Sequence, residues 1–139
     1  MTKERDLEDL QQITQAHYEK CQQSFAKIVT QENKLREELA RLDALNRSAR
    51  PPEPTLTHRN AIGADVIWQG WLGRAKTALN LKLAQVLATK EYHLIQVRRA
   101  YGKVLVLQEM QQKQRNIARK FESEKLLGEA IVQAIQNPQ

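Results

Sequence analysis

Three prolines within four residues, Pro51, Pro52 and Pro54, constrain this chain more than any other feature. Proline lacks the amide hydrogen that a helix needs. Its ring clashes with the preceding turn, and it pushes the residue before it out of the α region. A helix arriving from the N-terminal side must therefore stop near residues 46–50. No Pro precedes the cluster, none occurs from 55 to 137, and residues 3–48 also lack Gly. The windows on either side are rich in Gln, Glu, Lys, Leu, Ala and Arg, all good helix formers. The pattern predicts helix over 3–48, a Pro-rich loop over 49–60 and helix over 61–136, with Asn60 as N-cap and Asn137-Pro138 as the stop. At about 1.5 Å per residue the helices are roughly 70 and 110 Å long.

Both windows are amphipathic. In the first, Leu7, Thr14, Cys21, Ile28, Leu35 and Leu42 recur at seven-residue spacing. The interleaved set, Glu4, Gln11, Tyr18, Phe25, Glu32, Leu39 and Asn46, is more polar. A seam apolar mainly at one of its two positions suits a modest coiled coil rather than a thick core. In the second, Trp68, Leu72, Ala75, Leu79, Leu83, Val86, Leu94, Val97, Tyr101 and Val104 alternate in steps of three and four, with Lys90 as an interruption. Ion pairs in the favourable order are expected between Glu32 and Arg36, Glu37 and Arg41, and Glu109 and Lys113.

Neither stripe is stable in water alone, and a loop of about a dozen residues lets the helices fold back on each other. The expected fold is all-α: two long helices in an antiparallel coiled-coil hairpin, the second longer, as one unit over 1–139. Counting outward from the loop sets 3–48 against roughly 61–106. That leaves about 107–136 without a partner in the same chain. This overhang still carries Met110, Ile117, Phe121, Leu127 and Ile131.

Composition removes other classes. Aromatic residues are only 5% of the chain, and Gly number five, too few for the turns and strands of a sandwich or barrel. One cysteine, Cys21, excludes an internal disulfide framework and a Cys-based zinc site. No apolar run reaches a membrane-spanning length, and the charged start lacks a signal-peptide core, so a cytoplasmic chain is expected. There is no P-loop, GxGxxG, HExxH or serine elbow. A two-helix hairpin also offers no usual ligand pocket. His17 and His93 read as ordinary surface or packed residues, so no enzyme, catalytic residue, metal or cofactor is expected.

The net charge of +6 is uneven. Residues 1–50 hold nine basic and nine acidic residues, whereas 74–120 hold eleven basic residues against Glu91 and Glu109. Residues 121–139 turn acidic, with Glu122, Glu124 and Glu129 against Lys125. Such asymmetry speaks of partners rather than fold. Near the start of the second helix, Trp68-Gln69-Gly70-Trp71-Leu72-Gly73 sets two Trp three apart beside two Gly. A narrow seam holds one such ring with ease and hardly both. The set is either an exposed aromatic contact, since Trp is enriched in interface hot spots, or a cluster closing the hairpin end under Leu56 and Ile62.

Taken together, these residues resemble the FliJ/YscO-like family, the small coiled-coil stalk proteins of flagellar and type III secretion export. The likeness lies in the charged N-terminus, the long helix, the Pro-containing loop and the Trp68, Trp71, Leu72 set. It lies also in the run Arg98-Arg99-Ala-Tyr101, Val104, Leu107, and in Arg119-Lys120-Phe-Glu122-Ser-Glu124-Lys-Leu126-Leu127. The run Val104-Leu105-Val106-Leu107 and the neutral first helix depart from that pattern. The resemblance implies a non-enzymatic cytoplasmic stalk, peripheral to the inner-membrane export apparatus. It also implies that the stalk bridges the export ATPase hexamer and the membrane export gate protein and handles export chaperones. On that reading Trp68, Trp71, Leu72 and Leu79 form the gate contact, and Arg119, Phe121, Glu124 and Leu127 the ATPase contact, with Phe121 as anchor. The alternatives are a basic helical hairpin binding nucleic acid, for which no RNA or DNA motif is present, and a structural homodimeric coiled coil.

Overall fold

A computed structural model describes residues 2–48 and 58–138. It consists of two helices, α1 from Thr2 to Ser48 and α2 from His58 to Gln136, packed antiparallel as a hairpin. The second helix begins three residues before the expected start. The expected loop, including Leu56, lies largely outside the described residues. The last turn of α1 is closed by the Ser48 hydroxyl, which donates to the Leu45 carbonyl at 3.1 Å. At the other end of the chain Asn137 N–H donates to the Gln133 carbonyl at 3.0 Å, and Pro138 then blocks a further turn. Among the described residues, no helix is long and apolar enough to cross a membrane.

Burial along α1 follows the heptad. Its buried or half-buried positions include Leu7, Gln11, Thr14, Tyr18, Cys21, Phe25, Ile28, Glu32, Leu35, Leu39, Leu42 and Asn46, in unbroken steps of four and three. Thr14 fits this apolar line because its hydroxyl donates to the Leu10 carbonyl within the helix at 2.6 Å. On α2 the corresponding line runs from Trp68 through Leu72, Ala75, Leu79, Leu83, Val86 and Lys90, then through Val97, Ala100, Val104, Leu107, Gln111 and Gln114. Ala100, at 1% exposure, takes the place expected for Tyr101, which is 46% exposed. A methyl group lets the helices approach where a phenol ring would hold them apart.

The chain forms two compact units. In the unit of residues 21–97 the polar members of the seam meet one another. Lys90 Nζ lies 2.7 Å from Glu32 Oε2, and Arg36 reaches Glu32 Oε1 from one turn away at 3.0 Å. Gln69 donates to Asn46 Oδ1 at 3.1 Å, and Lys76 pairs with Asp43. In the unit of residues 1–20 and 98–139, Gln111 donates to Gln11 Oε1 at 2.7 Å, and the rings of Tyr18 and Tyr101 meet with centroids 5.4 Å apart.

These contacts overturn the facing expected from the sequence. Residue 46 meets 69 and residue 11 meets 111, where a count outward from the loop sets them against 63 and 98, so the partners on α2 lie six and thirteen residues further along than expected. The cause is chemical. A slip of one heptad would leave Glu32, 6% exposed, facing the seam without its lysine. Arg36 would remain beside it from its own helix, but a buried carboxylate that loses its cross-helix cation is the costlier error. What reads in sequence as a leaky first stripe and an interrupted second one is a set of matched polar pairs. Of the three expected intrahelical ion pairs, Glu32 with Arg36 and Glu109 with Lys113 form. Among the described residues no bridge joins Glu37 to Arg41.

Candidate interaction surfaces

The four residues expected to form an aromatic contact divide sharply. Leu72 is 2% exposed and lies in the seam, so it offers nothing to a partner. Leu79 and Trp68 are half-buried seam residues. Only Trp71 projects, at 45% exposure, with its ring stacked on Trp68 at 5.1 Å. One turn earlier Val66 and Ile67 are also exposed, at 66% and 72%. Sequence reading missed these two, although they are the apolar neighbours that make Trp71 part of a patch. The Trp68 indole nitrogen is buried with no hydrogen-bond partner among the described residues. The side chain of Ile62 also falls outside them. Gly73 has open space where a side chain would be, and Gly70 has only the Arg74 guanidinium nearby. Nothing among the described residues therefore requires either glycine.

In the unit of residues 1–20 and 98–139, the seam ends at Gln114. Leu7 and Glu8 near the start of α1 border the same groove as Gln114, Arg115 and Ala118. From Arg115 to Pro138 every residue is exposed. The overhang is therefore real but shorter than expected. Leu107 and Gln111, placed in it by the sequence count, belong to the seam. Its apolar residues lie open: Ile117 70%, Phe121 71%, Leu127 63% and Ile135 73% exposed. Of the four candidates here, Phe121, Glu124 and Leu127 stand clear of α1, while Arg119 borders the groove beside Glu4 and Glu8. A helix of this length with exposed Leu, Ile and Phe is marginal in water without something to cover it.

The basic stretch is partly used within the hairpin. Lys76, Lys90 and Lys113 stand in ion pairs with Asp43, Glu32 and Glu109. Lys90 and then Arg36 hold the Glu32 carboxyl below the ordinary glutamate range by hydrogen bonding, against the opposing effect of burial. Lys76 does the same for Asp43. His93 is half-buried on α2, its ring 5.5 Å from that of Tyr92. No protein-family model, no curated protein and no solved structure matches this chain.

Proposed function

We propose that this chain is a non-enzymatic coiled-coil stalk of a flagellar or type III protein export apparatus. It works in the cytoplasm beside the inner membrane and joins the export ATPase hexamer to the membrane export gate. The reading rests on the resemblance of its residue pattern to FliJ/YscO-like proteins. The observation that carries it is the C-terminal end of α2, which runs past α1 with Ile117, Phe121, Leu127 and Ile135 uncovered. Selection for solubility alone would make that face polar. Phe121 anchors the ATPase contact, with Leu127 further along α2 and Arg119 and Glu124 setting register through charge complementarity. Trp71, with Val66 and Ile67, makes the gate contact, and export chaperones are further partners of the same stalk.

The test is a chain ending at Ala118. It keeps Gln111 and Gln114 in the seam and, apart from Arg119 at the edge of the groove, removes only uncovered helix. It should stay folded, fail to bind the export ATPase hexamer and fail to stimulate its hydrolysis. Full stimulation by the shortened chain would remove the overhang from the docking role. A nucleic-acid role is the weaker reading, because Lys76, Lys90 and Lys113 already have acidic partners in the hairpin.

A further inference from the structure

One face of α2 in the unit of residues 1–20 and 98–139 carries a second heptad line, separate from the seam. It comprises Val106, Met110, Lys113, Ile117, Phe121, Glu124, Gly128, Ile131 and Ile135, in steps of three and four. All nine are exposed, with Val106 at 56%, Met110 at 48% and Ile131 at 52%. The line spans a little over four heptads, long enough for a coiled-coil seam. Two charged residues interrupt it, one of each sign, and they lie symmetrically within the eight positions from Val106 to Ile131, with Ile135 extending beyond.

We propose that this face is covered by the same face of a second copy, the two α2 ends lying antiparallel. In the register that sets Lys113 opposite the second copy's Glu124, Val106 meets Ile131, Met110 meets Gly128 and Ile117 meets Phe121. The two-fold repeats each contact, so both charged pairs form. A slip of about one turn sets Glu124 against Ile117 or Met110, and a parallel pairing sets lysine on lysine and glutamate on glutamate. The charges therefore select one orientation and one register, as buried polar groups do in coiled coils.

The arrangement repeats a device this chain uses within itself. Glu32 and Lys90 are the charged members of the two seam lines and fix the hairpin register by meeting. Among the described residues Lys113 has only the intrahelical pair with Glu109, in which both side chains are about 70% exposed. No side chain or foreign backbone comes within 4 Å of where a Cβ would stand on Gly128, which leaves room for an incoming methionine. The second copy covers the line that carries Phe121, so self-association and docking of that residue on another protein exclude each other. The inference itself does not depend on the export reading.

Sedimentation equilibrium of the full chain at tens of micromolar should give a species of about twice 16.1 kDa. Lys113→Glu and Glu124→Lys should each weaken association at least about tenfold, since each variant sets like charges against each other twice. The double variant should restore it. For orientation, Met110→Cys with Gly128→Cys in one Cys21→Ser chain should cross-link copies through 110 and 128. The single Met110→Cys chain should not cross-link to itself. Circular dichroism of each variant confirms that the hairpin is retained. A monomeric wild type, single charge variants that still associate fully, a double variant that stays apart, or Met110→Cys cross-linking to itself would each overturn the proposal.

Discussion

Leu72 and Trp71 are adjacent in sequence and opposite in role, so truncating each tests the seam assignment directly. Leu72 is 2% exposed, and Leu→Ala at such a site costs about 2–5 kcal/mol. The seam is one layer thick and the helices can partly close the gap, so the lower end applies, about 2–3 kcal/mol. For a chain of this size that is roughly 6–15 °C in Tm. Trp71 is 45% exposed and makes one intramolecular ring stack. Its loss should cost only about 1 kcal/mol, the worth of an aromatic pair. Leu81→Ala is the control. At 62% exposure it should fall within about 0.5 kcal/mol of wild type. Thermal unfolding followed by far-UV circular dichroism measures all three. If the proposed gate contact holds, binding to the export gate protein should follow the reverse order, with Trp71→Ala weakening it by about 2 kcal/mol and Leu72→Ala leaving it intact below the melting range. If Trp71→Ala destabilises as much as Leu72→Ala, its ring is core and the contact reading fails. If Leu72→Ala is neutral, the seam itself is misplaced.

Three further outcomes follow from the same contacts. Acid should destabilise the hairpin: the Glu32 and Asp43 carboxyls are depressed in the folded chain, so the unfolded chain takes up protons first. Their contribution is complete above the ordinary carboxylate range, about pH 4, and is lost as the pH falls through the lower folded values; a pH series of melts that shows no such loss would contradict it. Replacing both Glu32 and Lys90 by Leu should leave the chain folded but loosen its register, so that disulfide trapping between α1 and α2 gives products one heptad apart, whereas wild type gives one. Ending the chain at Ala118 should leave Tm unchanged while removing about one-seventh of the helical signal, since α1 has 47 residues, α2 has 79 and the lost helical segment has 18. A smaller loss of signal would mean that the uncovered end frays in isolation.

The class of fold was legible because its determinants are local. The proline cluster at 51–54 and the absence of proline from both flanks force two helices, whatever they pack against. The heptad of α1 was equally plain, and every member from Leu7 to Leu42 lies in the seam. Of the candidate contact residues, Phe121, Glu124 and Leu127 lie exposed on the end of α2 that the unequal helix lengths leave over, and Trp71 is exposed with its ring stacked on Trp68. Leu72 could not be excluded, because an apolar residue on a helix looks the same whether its face meets α1 or solvent.

Thus the sequence alone determined that there are two helices, where the break falls, which face of α1 is apolar and that α2 is the longer. Tertiary structure alone decided the register, and with it the place where the seam ends, the burial of Ala100 instead of Tyr101 and the shorter reach of the overhang. The reason is that hydrophobic spacing repeats every seven residues and fits several offsets almost equally well. Polar pairs such as Glu32 with Lys90 and Gln11 with Gln111 fit only one offset, and their partners are 58 and 100 residues apart in sequence.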